Sequence, residues 1–414
     1  MTPRLFVVVA LLVGLPFVFV TPPFAVPDEQ NHFWRALAIT HGHLMPAHGR
    51  DTTTIARSVQ NFVWVIDRAE PRESLRRKLR VIASLPLDGQ SGGEVRFAAW
   101  YTPLPYIVQS VVAAMPLRPI VLFYGGRVAN LLAAILLIAM AIRAAPRYAS
   151  VIAAAALLPM TLYQLASWSP DAATIALAWL FIALLLEPPR RVWLVAAVGL
   201  ALALCKPAYF LIALLSLATK FRWRDRIAII GATAAGTLLS LAAARRGAYN
   251  ARAGLPVDAA SQIRCIASDP LHFVRVALHD VVSNGRFYVE EMIGRFGANE
   301  LKLSPFVIMI ELVLLVIVAL TTGVALRRRV RATALAIAAM TVAGILLSQY
   351  LIWSIVCGDL IEGVQGRYFL EVLPLALMPL ALPRARWRLA PWAIVIVAAV
   401  CNAVALMTLV RHYW

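Results

Sequence analysis

The residues most able to do chemistry sit together in Pro27-Asp28-Glu29-Gln30-Asn31-His32-Phe33-Trp34-Arg35, directly after an apolar run. Two adjacent carboxylates within about a turn or two of a membrane surface are costly to desolvate unless paired or metal-bound. A helix starting after Pro27 would also set them on its electropositive N-terminus, which favours anions. Either they cap a helix with ordinary charge pairing, Glu29 to Arg35 for instance, or they are functional. His41, His43 and His48 follow without a partner at metal-ligand spacing and read as solvated loop histidines.

Three further charged positions stand out. Asp171, in Ser169-Pro170-Asp171, opens an apolar run and is either an N-terminal cap or a site residue. Lys206 stands between two apolar runs, where an ammonium must snorkel or meet an anion. Arg367 follows Gly363 and Gly366, which permit close backbone approach. With Tyr368 it is either an interfacial anchor or a bidentate grip for phosphate.

The elements that position these residues follow from composition. Of 414 residues, 61% are hydrophobic and only 14% charged, against about 45–50% and about 25% in soluble domains. That excludes a soluble globular enzyme, a disordered chain and a disulfide scaffold, leaving an all-α polytopic membrane protein. A span needs roughly 20 mostly apolar residues. The runs near 5–22, 122–142, 148–167, 170–187, 192–205, 207–220, 227–244, 304–325, 332–352, 367–382 and 391–409 predict eleven. Lys206-Pro207 makes 192–220 a tight hairpin or a broken helix, because Pro207 lacks an amide and clashes with the preceding turn. Residues 1–22 look like a signal peptide without a cleavage site and read as a retained anchor helix.

Charge tests the eleven spans. With Arg4 in the cytoplasm and sides alternating, the inner segments hold Arg143, Arg147, Arg190, Arg191, Lys220, Arg222, Arg224 and Arg226. They also hold Arg327, Arg328, Arg329, Arg331, Arg384, Arg386 and Arg388, against Glu187 and Asp225. Every short basic loop then falls on one side, as the positive-inside rule requires. Most of the net charge of +18 is therefore a record of orientation, and nucleic acid is not an expected partner.

The chain reads as one integral domain, 1–414, with a first outer loop at 23–121 and a second at 245–303. Tyr101–Met115 would invert every later loop if it crossed, so it is expected to lie along the outer surface. In the second loop, 274–296 predicts an amphipathic interfacial helix, with Gly294-Arg295-Phe296-Gly297 turning back toward the site and Glu290 and Glu291 solvated. Cys265 and Cys357 both fall outside, where an oxidising compartment would let them pair. Asp28, Glu29, Asp171, Lys206 and Arg367 come from distant parts of the chain, yet the charge argument places all of them on one face. Carboxylates and cations at a membrane boundary suit a lipid-linked, phosphorylated substrate.

The segments PDEQNHFWRA, YTPLPY, SPDA, CKPAYF, GRFG and GVQGRYF together resemble a bacterial multi-pass membrane family of unknown function. That family is placed near the GT-C glycosyltransferases, and the resemblance covers essentially the whole chain. Protein O-mannosyltransferases and the aminoarabinose transferase of that class carry an acidic pair in the first outer loop. Asp28-Glu29 matches the pair; His32-Phe33 follows with one extra residue, and Tyr101 stands where a basic residue or His is usual. The resemblance implies a polyprenyl-phosphate sugar donor and a glycan, lipid or protein acceptor at the periplasmic face of a bacterial inner membrane, with the N-terminus cytoplasmic. No nucleotide-binding fingerprint is present, in keeping with such a donor.

On that reading Asp28 is the general base of an inverting displacement. Glu29 orients the acceptor or shares a divalent cation (Mg or Mn) with Asp28. Arg367 and Lys206 offset the charge growing on the departing phosphate. His32, Arg35, Tyr101, Asp171 and Tyr368 complete the substrate-binding set. Two other classes compete. A transporter or flippase for lipid-linked sugars would share the cations but often shows internal repeats, absent here. A non-catalytic envelope assembly protein would use the acidic pair only as a cap.

Overall fold

The computed structural model describes residues 1–45, 51–56, 59, 61–62, 72–84, 90–95, 100–189, 191–246, 254–322, 325–382 and 389–414. His48, Arg190, Arg384, Arg386 and Arg388 lie outside them. The chain is a helical membrane protein. Helix α1 (Pro3–Val20) starts where the Thr2 side chain accepts from the Leu5 amide and Pro3 fills a position whose amide needs no partner. A sharp turn over 21–28 leads to α2 (Glu29–Thr40). The rest of the first loop contributes β1 (Asp51–Ala56), α3 (Arg72–Ser84) and β2 (Gln90–Val95), with β1 and β2 antiparallel. A 3-10 turn at Leu104–Tyr106 and α4 (Ile107–Ala113) close it. This short helix packs on α2 and α5 (Pro119–Ala144) while Ile107 and Val111 stay exposed, in keeping with a surface helix rather than a span.

A buried core gathers α1, α5, α6 (Ala149–Ala156), α7 (Pro159–Leu165) and α8 (Asp171–Leu186), with Phe6, Phe17, Trp179 and Phe181 fully enclosed. Then come α9 (Val192–Cys205), a 3-10 segment at Pro207–Leu217 and α10 (Trp223–Arg246). The second loop holds α11 (Ala259–Ser268) and α12 (Pro270–Gly294), capped by Asp258 and Asp269, and a two-residue pairing of β3 (Arg295–Phe296) with β4 (Leu301–Lys302). Helices α13 (Pro305–Thr321) and α14 (Arg328–Ile352) pack on the broken segment Gly366–Leu380, whose centre is α15 (Leu373–Leu377), and α16 (Pro391–Tyr413) packs on α1 and α13.

Eleven spans are not what these helices provide. Among the described residues five are long and apolar enough to cross: Pro3–Val20, Pro119–Ala144, Trp223–Arg245, Arg328–Ile352 and Pro391–Tyr413. A sixth results if Pro146–Ala156 and Pro159–Leu165, bent by 83°, form one broken span. The other apolar runs are cut short. Pro170, Pro207, Pro374 and Pro379 each remove an amide donor, so the expected spans become helices of 10–17 residues or 3-10 turns. At about 1.5 Å per residue, even the 17-residue helix α13 reaches only about 26 Å, less than the roughly 30 Å hydrocarbon core.

The two ends of the bundle differ. At one, Arg147 lines a cavity with Met1, Thr321 and Pro391. Arg329 donates to the Leu217 carbonyl and Arg226 to that of Thr219. At the other end, where α1 finishes, the Trp414 indole donates to the Val20 carbonyl at 2.7 Å, and the acidic motif begins. Cys265 and Cys357 are joined in a disulfide, Cα to Cα 5.8 Å, tying α11 to the loop after α14.

Candidate functional site

The turn over 21–28 is held from below. Arg127, on α5, is fully buried and grips Glu29 through two hydrogen bonds, Nε to Oε1 at 2.8 Å and Nη2 to Oε2 at 2.6 Å. Its remaining N–H groups donate to the carbonyls of Val18, Thr21 and Pro22. Glu29 in turn accepts the amides of Phe24 and Trp168, both at 3.0 Å. Every charge here has partners, which is what a buried ion pair requires. The expectation that Glu29 pairs with Arg35, or shares a metal with Asp28, is therefore corrected: both its oxygens are spoken for, inside the protein. Among the described residues no group of three or more His, Cys, Asp or Glu could hold a metal ion.

Asp28 is its opposite. The clamp fixes the chain so that Asp28 adopts a left-handed conformation, φ 61°, and Phe24 does so too at φ 64°. Such angles are uncommon outside glycine, and for a bulky Phe they persist only under surrounding constraint. The Phe24 ring supplies it, packing among Phe33, Phe62 and Phe123. The result turns the Asp28 side chain outward, 57% exposed, with Oδ2 3.6 Å from Nη2 of Arg367.

Asp171 joins the cations. It is not a side-chain cap. It sits in the first turn of α8, its amide accepted by Ser169 Oγ, and its carboxylate faces Lys206 and Arg367. Lys206 Nζ contacts Asp171 Oδ1 closely, and Arg367 Nε lies 3.4 Å from Oδ2. Both cations lie over the Tyr368 ring, at 4.9 and 5.7 Å from its centroid, which adds cation–π attraction. Burial alone would lower the Lys206 pKa, but the Asp171 carboxylate outweighs it and holds the ammonium well above its ordinary value. The break at Lys206-Pro207 is what brings this ammonium to the site.

His32 and Tyr101 complete one wall. His32 Nδ1 is 2.7 Å from the Tyr106 hydroxyl, and its ring meets Tyr101 edge-on at 5.6 Å. Burial lowers the imidazole pKa to about 4, against the opposing pull of Asp28 and Asp171. Burial also raises the Tyr101 hydroxyl to about 12. At neutral pH this wall is uncharged. Arg35, expected among the substrate-binding residues, is instead a buried clip: it donates to the carbonyls of Tyr101, His43 and Leu44. It fixes the loop that carries Tyr101.

The second loop closes on the same place. The expected helix over 274–296 is α12, and the turn after it does return, with the Gly297 amide donating to the Tyr163 hydroxyl at 3.2 Å. Glu290 and Glu291 are not solvated; both are buried. Burial would raise the Glu290 pKa, but bonds from Lys302, Arg286 and Arg295 hold it below the usual range. Burial raises that of Glu291, although its Oε2 accepts the Gly366 amide at 2.6 Å. Glu291, Arg295, Gln164, Gln365 and Arg367 line a cleft of ≈ 20 Å³, room for about one water.

Thus Asp28, His32, Tyr101, Asp171, Lys206, Arg367 and Tyr368 converge, whereas Glu29 and Arg35 lie behind the site as supports. Arg127 and Glu371, each an ionisable group inside an apolar run, support the site without being among the expected residues. Glu371 is fully buried beside the Tyr209 hydroxyl. A charge within a presumptive span demands a partner, and that was the available signal. Chemically, the cluster offers one accessible carboxylate and two cations already desolvated and aligned by a third group, an arrangement able to accept a proton beside a bound anion.

Residues 11–378 match the family described as predicted membrane protein (DUF2142). No curated protein and no solved structure matches the chain.

Proposed function

The chain belongs to the DUF2142 family of predicted membrane proteins, and from that premise we propose a membrane glycosyltransferase, GT-C-like, that takes its sugar from a polyprenyl-phosphate donor. The observation carrying the proposal is the Asp28–Arg367–Asp171–Lys206 cluster, with its single exposed carboxylate. Asp28 accepts the proton of an acceptor hydroxyl as that oxygen bonds to the anomeric carbon, with inversion. The bond from that carbon to the phosphate oxygen breaks, and the electron pair leaves with the polyprenyl phosphate.

The phosphate gains one negative charge as Asp28 loses one, so the charge inside the site stays constant through the step. Arg367 and Lys206 meet the leaving group from fixed positions, already desolvated, where such groups act most strongly. Because the leaving group departs as an anion, no acid to protonate it is needed. The acceptor is a glycan, lipid or protein at the periplasmic face of the inner membrane. Supporting that side, the basic segments gather at the opposite end of the bundle, and the disulfide suits an oxidising compartment.

The 83° break at 157–158 and the 3-10 segments near Lys206 and Arg367 favour a second reading. Discontinuous helices commonly line transporter sites, so the alternative is a carrier of lipid-linked sugar. One experiment separates the two. Purified protein in lipid is given radiolabelled polyprenyl-phosphate sugars, and release of polyprenyl phosphate is followed in wild type and Asp28→Asn. Release that falls at least about 100-fold in the variant is expected. Undiminished release removes Asp28 as base, and translocation of intact donor without release establishes the carrier.

A further inference from the structure

A groove of ≈ 660 Å³ lies between α3, α5 and the end of α16, away from the Asp28 cluster. Its walls are Leu79 and Ala83 on α3, Ile120 and Tyr124 on α5, and Trp414. At its rim stand Arg76 and Arg80, four residues apart and so on one face of α3. The groove's height is fixed by Trp414, whose indole donates to the carbonyl of Val20, the last residue of α1. That is the boundary of a membrane-capable helix. Arg76 donates to the Trp414 carbonyl, which sets its guanidinium at the rim of the groove.

We infer that this groove holds an anionic phospholipid of the surrounding bilayer, its phosphate on Arg76 and Arg80 and its acyl chain along Leu79, Ala83, Ile120 and Tyr124. Three observations carry the choice of occupant. First, α3 is strongly basic, with Arg72, Arg76, Arg77, Lys78 and Arg80 against Glu73 alone. Cations at this height attract negatively charged headgroups. Second, the walls below the cations are apolar and continue into bilayer-facing surface, where Phe19 and Val121 are more than half exposed. A soluble anion would have no use for them. Third, the two arginines are not part of the Lys206–Arg367 pair, so a sugar donor whose phosphate must reach that pair would leave them unoccupied.

The groove also touches the site's foundation. Tyr124, one of its walls, lies 5.8 Å from the Arg127 guanidinium that clamps Glu29. A lipid seated here packs against the scaffold behind Asp28 and buttresses α3, which otherwise rests on α5 and α16.

The test reads lipid retention with no sugar donor present, so its result is independent of the turnover assay. Full-length protein is equilibrated with mixed phosphatidylglycerol and phosphatidylcholine, extracted in mild detergent, and the retained lipids are identified by mass spectrometry. Preferential retention of phosphatidylglycerol is expected, falling about tenfold in the Arg76→Gln/Arg80→Gln double variant. Ala83→Trp, at an exposed position, fills the apolar part and lowers retention with both arginines intact. Thermal unfolding of each variant establishes that it is folded. Equal retention of the two lipids, an unchanged preference without the arginines, or retention unaffected by Ala83→Trp overturns the inference.

Discussion

Asp28 and Glu29 are neighbours in sequence and opposites in environment. Glu29 is sealed, with four N–H donors, two of them from a fully buried arginine. Asp28 is more than half exposed and faces its nearest cation at 3.6 Å. The contrast shows how an exposed carboxylate is aimed: its neighbour's charge is committed to the architecture, so that Asp28 is held at the surface of a preformed cation cluster. Arg127 makes the division by gathering the carbonyls of 18, 21 and 22 around Glu29, which leaves Asp28 no room except outward.

The division between the two carboxylates depends most on Arg127. Replacing it with Met leaves Glu29 a buried, uncompensated anion, and losses of about 3–5 kcal/mol are typical of such a change. Thermal unfolding in detergent should show Arg127→Met as the least stable variant at the acidic motif. Stability close to wild type would mean that Glu29 reaches water.

His32 sharpens the contrast through pH. Its imidazole is held at about 4 against an ordinary 6.5 by burial. As pH falls below 6.5 the unfolded chain takes up the proton first, so stability present above 6.5 is lost on acidification toward 4. Full expression of that shift is worth roughly 3 kcal/mol. The acid sensitivity between these values should flatten in His32→Gln; an unaltered slope would assign it to other groups.

Smallest is the expected stability change for Asp28→Asn. An exposed carboxylate at a loose ion-pair distance contributes within about 0.5 kcal/mol, and Asn tolerates the left-handed backbone. An unfolding temperature indistinguishable from wild type is predicted. A large drop would make Asp28 a second structural acid and erase the distinction.

Asp28, Asp171, Lys206 and Arg367 stood out in the sequence because charge is scarce in an apolar chain and must find a partner there. The eleven-span alternation that set them on one face is not, however, the one these helices provide. The separation of Asp28 from Glu29 was not legible in the sequence. It depends on Arg127, which sits ninth in a 26-residue apolar helix and meets Glu29 only after α1 and α5 pack. Arg35 misled for a related reason, since its partners are backbone carbonyls, which carry no sequence signature. The span count failed where hydropathy is blind to hydrogen bonding: 207–217 is apolar throughout, yet Pro207 and the tight winding after it give a 3-10 segment, not a membrane-length helix. Glu290 and Glu291 were misplaced because amphipathic periodicity could not show that β3 and β4 fold back over them.

In the proposed function the exposed carboxylate does chemistry while its buried neighbour holds the fold. This division of roles is tested most directly by the rate of polyprenyl-phosphate release per folded molecule in Asp28→Asn. A fall of at least about 100-fold is expected, with the unfolding temperature unchanged. Release at the wild-type rate from that folded variant would contradict it.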